Sequence, residues 1–231
     1  MTKEDYDDKM IEVRLAELRG YHSAHMEIGK RLFKPGGGLH PLDFLAFGTL
    51  NRSLQLTSAF CDLIEKRQSL AATPLVRLQL DSALRFSAIR LVKNPQQLAM
   101  EAIKGKPIRE MLDQSGRQMT DNHLVNQLAK VHPWVRPVYD NTSGFIHLSE
   151  KHVLSAMVPD DDPNAPPGRF HGYISANDQF IPNTFRLELL DAFTAATDLF
   201  FEQVNWWADI KDQLSVGEKP KDSKPGRKQK N

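Results

Sequence analysis

The sequence holds one cysteine, Cys61, no apolar run near the roughly 18 residues that suggest a membrane span, and almost no imbalance of charge. A lone cysteine inside an apolar helical pattern excludes a disulfide framework and a thiolate cluster for zinc or iron–sulfur, and it fits a reducing cytoplasm. With 30 basic and 29 acidic side chains the formal charge is +1, so no global field draws the chain to nucleic acid, an anionic membrane or an acidic substrate. Any such attraction must be local. The first ten residues are charged rather than apolar, which argues against a signal peptide.

Several chemical signatures are also missing. There is no HExxH, no Gly-x-Ser-x-Gly elbow and no dinucleotide fingerprint, so metalloprotease, hydrolase and dehydrogenase readings lack support. Gly36, Gly37 and Gly38 are not followed by Gly-Lys-Ser/Thr, and they read as a hinge or loop over 34–40 rather than a phosphate cradle. The eight histidines have no cysteine companions. His22 and His25 sit three apart on a helical stretch, but without a second Glu/His helix they make a poor metal pair, and no cofactor is expected. Asp160, Asp161 and Asp162 lack the alternation of a calcium loop and read as a solvated turn.

The residues present describe helices. The chain is 40% hydrophobic, enough for a sizeable core, and the pattern is that of an all-α bundle of five to seven helices over 1–214. Helices are expected at about 4–33, 41–68, 73–91 and 182–214, with shorter ones at about 96–104, 108–114, 121–131 and 133–149. Phe47, Leu50, Leu54, Thr57, Cys61 and Ile64 form one three-and-four stripe, and Phe185, Leu189, Ala192, Ala196 and Leu199 form another. Thr73 and Pro74 read as an N-cap and first helical residue. An irregular insertion or small β-hairpin is expected over 153–181, and a disordered basic tail over 215–231. The first helix, about 45 Å long, is long enough to pair with a second copy, which makes a homodimer an expected partner arrangement.

One polar constellation stands out. Arg77, Asp81 and Arg85 recur every four residues beside the apolar Leu80, Leu84 and Ala88, forming a charged stripe next to a buried one. Tyr139, Ser143 and His147 have the same spacing and would share a face if 133–149 were one helix. Facing each other, the two stripes would let Asp81 orient His147, with Arg77 or Arg85 holding an anion such as phosphate. The plainer alternative is intrahelical ion pairs on the first stripe and hydrogen-bonded core residues on the second.

The pattern PLVRLQLDSALRFSAIRLV followed by VYDNTSGFIHLSEKHV resembles a group of uncharacterised prokaryotic helical proteins allied to the HEPN superfamily, over about residues 51–158. The resemblance implies a helical bundle, often dimeric, that acts either as a metal-independent ribonuclease of toxin–antitoxin or antiphage systems or as an inactive binding module. Its ribonucleases carry an Arg four to six residues from a His. Arg19–His25 and Arg117–His123 have that spacing at chance frequency, and His147 has no arginine closer than Arg136 before it. The expectation is therefore a binding or regulatory module for RNA, a nucleotide or a partner protein. A nuclease with His147 as base or acid is the alternative.

Overall fold

The computed structural model describes residues 3–33, 38–147, 149–160, 166 and 168–217. Among them are eight α-helices: α1 (Lys3–Leu32), α2 (Pro41–Glu65), α3 (Ser69–Ser87), α4 (Pro95–Ile103), α5 (Asp121–Leu128), α6 (Val135–Ser143), α7 (Glu150–Leu154) and α8 (Asn183–Gly217). Between α7 and α8 lies an antiparallel hairpin of β1 (Met157–Pro159) and β2 (Phe170–Gly172), where the sequence predicts one. The segment expected as a helix at 108–114 makes only a single 3-10 turn at Ile108–Glu110. No helix of the described residues is long and apolar enough to cross a membrane. The tail expected from 215 lies outside the described residues from 218 onward, and 215–217 belong to α8. Of the hinge expected at 34–40, residues 34–37 are outside them too.

α8 packs against α3 and α1, and α2 packs against α1 and α3, so these four helices form the frame. The buried stripe of α1, including Ile11, Leu15, Leu18, Ile28 and Leu32, is consumed within the chain's own core. The length of α1 therefore gives no independent reason for a second copy. Phe60 and Phe193 stack at 4.1 Å across α2 and α8, and Leu50, Leu80, Leu84 and Phe200 fill the other half of the interior. Of the two predicted stripes, Leu50, Thr57, Cys61, Ile64, Leu189, Ala196 and Leu199 are buried.

A polar layer divides that interior. His25 on α1, Ser53 on α2, Gln79 on α3 and Thr197 on α8 are all buried and joined in a chain of hydrogen bonds. His25 Nδ1 donates to the Tyr21 carbonyl at 2.8 Å, which leaves Nε2 to accept from Ser53 Oγ, also at 2.8 Å. Gln79 Nε2 donates to Ser53 Oγ at 2.7 Å and Thr197 Oγ1 at 3.0 Å. One apolar cluster, with Leu18, Phe60, Val76 and Phe193, lies to one side of the layer along each helix, and the cluster of Ile28, Leu50, Leu80 and Leu199 lies to the other.

Two of the helix boundaries that differ from expectation have a visible cause. α3 begins at Ser69 rather than at Thr73, because Asp178 from the segment before α8 caps it: its carboxylate accepts from Ser69 N at 3.0 Å and from Ser69 Oγ. Pro74 thus lies inside α3, and Thr73 Oγ1 donates back to the Ser69 carbonyl at 2.8 Å. The helix expected over 133–149 stops at Ser143. There Gly144 follows the last turn, Lys151 Nζ donates to the Asn141 carbonyl at 2.8 Å, and Ser149 Oγ donates to the Gly144 carbonyl at 2.8 Å. These bonds occupy carbonyls that a continued helix would have used, so α6 and α7 form in place of one helix.

Candidate functional site

Arg77, Asp81 and Arg85 do line one face of α3, and the structure adds Arg52 from α2, Asp121 from α5 and Tyr139 from α6. Asp81 is gripped from three sides: Arg85 Nε at 3.1 Å, Arg52 Nη1 at 3.4 Å and Arg77 Nη1 at 3.9 Å. Asp121, the first residue of α5 behind the Thr120 cap, accepts from Arg77 Nη2 at 3.0 Å, from Arg85 Nη2 and from Tyr139 Oη at 3.3 Å. The Arg77 guanidinium also lies over the Tyr139 ring, 4.0 Å from its centroid, a cation–π geometry.

Exposure is graded across the three cations. The side chain of Arg77 is 10% exposed, that of Arg85 22% and that of Arg52 39%, so Arg52 is the member that meets solvent first. Arg52 Nη1 is further held by Ser82 Oγ at 3.0 Å. Burial pushes the Asp121 carboxyl upward, but the Arg85 hydrogen bond and the charges of Arg85 and Arg77 outweigh it, and the group ends below the ordinary carboxylate value. The Asp121 carboxylate is therefore charged at neutral pH, in a cluster that sets three arginines against two aspartates. Arg85 Nη1 is buried and has no hydrogen-bond partner among the described residues.

The second predicted stripe is only partly present. Tyr139 joins the cluster, as described. Ser143 instead turns its hydroxyl back to the Tyr139 carbonyl at 2.6 Å. His147 lies beyond the end of α6, is exposed, and makes no hydrogen bond among the described residues, so Asp81 does not orient it. The cause is the helix stop at Gly144, which removes the four-residue periodicity on which the facing of the stripes depended. No other histidine among the described residues is hydrogen-bonded to the cluster.

The remaining chemical candidates resolve as structure. His25 and His123, the histidines of the two Arg–His spacings, are both buried, His25 in the polar layer and His123 against Asp113 at 2.9 Å. His22 faces solvent while His25 faces the core, so they share no metal, and no group of metal-ligating side chains occurs among the described residues. Asp160 pairs with Arg169 at 3.0 Å and His171 at 3.2 Å across the hairpin, whereas Asp161 and Asp162 lie outside the described residues. Burial pushes the free Cys61 thiol up to about 11, which leaves it unreactive as a nucleophile.

Arg52 and Asp121 are the members the sequence stripes do not include. Arg52 is one more polar residue on the exposed side of an amphipathic helix. Asp121 reads as an ordinary acidic residue in a first helical turn, and nothing local ties it to α3. No protein-family model, curated protein or solved structure matches this chain.

Proposed function

We propose that the chain is a non-catalytic binding module that takes a phosphate-bearing ligand, RNA or a nucleotide, at the Arg52–Arg77–Arg85 cluster. The observation that carries this is the excess of guanidinium over carboxylate. Three arginines face two aspartates, the most exposed arginine reaches a carboxylate only at 3.4 Å, and a guanidinium nitrogen of Arg85 is left without a partner among the described residues. Arginine presents donors in a fork that fits phosphate oxygens, and Tyr139 offers a ring beside it. A phosphate arriving at Arg52 would satisfy the unbalanced charge without requiring Arg77 to leave Asp121.

The reading agrees in kind with the HEPN-like resemblance, a helical bundle used for recognition, and with a cytoplasmic setting for a buried free cysteine. The nuclease alternative needs an acid or base at the cluster, and His147 is not positioned to be one. Filter retention of labelled RNA and single-stranded DNA, without added metal, tests the proposal with wild-type, Arg52→Ala and His147→Ala proteins. Retention without cleavage is expected, weakened in Arg52→Ala with a salt slope smaller by about 1, and unchanged in His147→Ala. Retention indifferent to Arg52→Ala, or none at all, overturns the site; cleavage lost in His147→Ala establishes the nuclease instead.

A further inference from the structure

A cavity of about 390 Å³ opens between α3, α6 and α8, one turn of α3 before Arg77. Its floor is apolar: Val138, Phe145, Phe185, Leu189 and Ala192. Its uncharged polar side chains are Thr73, Thr142 and the carboxamide of Asn141, and the two hydroxyl donors are spent. Thr73 Oγ1 donates to the Ser69 carbonyl and Thr142 Oγ1 to the Val138 carbonyl at 2.6 Å, so neither hydroxyl has a proton for a ligand anion.

Two opposite charges remain. Lys151 Nζ sits 5.1 Å from the centroid of the Phe145 ring, and its one hydrogen bond, to the Asn141 carbonyl, leaves two of the three ammonium donors free. Among the described residues it has no carboxylate partner. Glu188 lines the same cavity, is exposed, and has no cation within ion-pair distance among the described residues. The two do not pair with each other, which places them more than 4.0 Å apart.

An apolar pocket with an unpaired ammonium and an unpaired carboxylate at its edge discriminates by charge pattern. A simple carboxylic acid would meet Lys151 but be repelled by Glu188, and a simple amine would meet the reverse. A zwitterion satisfies both while its side chain fills the apolar floor, and the volume lies within the range of small-molecule sites. We propose that this cavity binds a free α-amino acid with an apolar or aromatic side chain, its carboxylate on Lys151 and its ammonium on Glu188.

Titration calorimetry with L-phenylalanine, 3-phenylpropionate and 2-phenylethylamine tests this on the full chain. Phenylalanine is expected to bind, and each analogue to bind at least about fivefold more weakly, the size of one partly exposed charge contact. Glu188→Gln, at an exposed position that leaves the fold intact by thermal melting, lowers phenylalanine affinity by a similar factor and does not weaken 3-phenylpropionate. Lys151→Met reverses the preference toward 2-phenylethylamine. No heat from any of the three at millimolar concentration overturns the proposal, as does 3-phenylpropionate binding as tightly as phenylalanine with no response to Glu188→Gln.

Discussion

Asp43 is fully buried at the start of α2, and its replacement by alanine strands a buried cation. Its carboxylate accepts from Lys211 Nζ at 2.7 Å, from Trp207 Nε1 at 2.9 Å and from the His40 backbone N–H at 2.8 Å. Lys211, itself only 6% exposed, has one other partner among the described residues, the Leu32 carbonyl at 2.6 Å. Together these bonds fasten the end of α1, the start of α2 and the last turns of α8 at one corner. Asp43→Ala leaves an ammonium buried without its counter-charge, a change that costs about 3–5 kcal/mol. At a chain length of 231 residues that lowers Tm on the order of 10 °C. Equilibrium urea unfolding followed by circular dichroism measures it. The double variant Asp43→Ala with Lys211→Met removes the stranded charge and is expected to recover about 2 kcal/mol, though the Trp207 N–H and Leu32 carbonyl stay unpaired. A single-variant loss below about 1 kcal/mol, the value of an exposed pair, refutes the reasoning, as does a double variant no more stable than the single.

Two further outcomes follow from the polar layer and from the start of α3. Burial pushes the His25 imidazole below the ordinary histidine value, more than the Tyr21 carbonyl raises it, so below about pH 6.5 the unfolded chain binds a proton that the folded chain refuses. Stability is therefore full above that pH and falls as pH drops below it; urea midpoints between pH 5 and 8 should show this limb flattened in His25→Gln, and an identical slope in the variant rules the account out. Asp178→Ala removes the cap of α3 and should cost about 1–2 kcal/mol with faster amide exchange at Ser69; an effect within about 0.3 kcal/mol would return the capping role to Thr73.

The frame of the fold was legible because periodicity reports burial directly. Leu50, Thr57, Cys61 and Ile64 on α2, and Leu189, Ala196 and Leu199 on α8, recur at helical spacing, and each lies in the core. What periodicity cannot report is an interaction supplied from far along the chain. Thr73-Pro74 has the local form of a helix start, yet Asp178, more than 100 residues later, starts the helix earlier. Gly144 has the local form of a weakened helix middle, and the bonds from Ser149 and Lys151 make it an end. His147 was carried out of the site by that one shift, while Tyr139, a turn inside the true boundary, remained in it.

The same distinction explains why the arginine stripe was visible and its hub was not. Arg77, Asp81 and Arg85 share an element, so their spacing alone predicts one face; Asp121 joins them only through the packing of α5 on α3. Packing of that kind needs a register, and hydrophobic stripes on four helices tolerate sliding by a turn with little loss of buried area. The His25–Ser53–Gln79–Thr197 layer does not tolerate it. Moving any one helix by a turn strands a buried donor or acceptor on each helix it was bonded to, at roughly 1–3 kcal/mol for each group left unpaired. α3 carries both Gln79 and the stripe from Arg77 to Arg85, so the polar layer fixes the height at which the arginines meet Asp121 and Tyr139. The core thereby sets the geometry of the surface cluster as well as holding the bundle together.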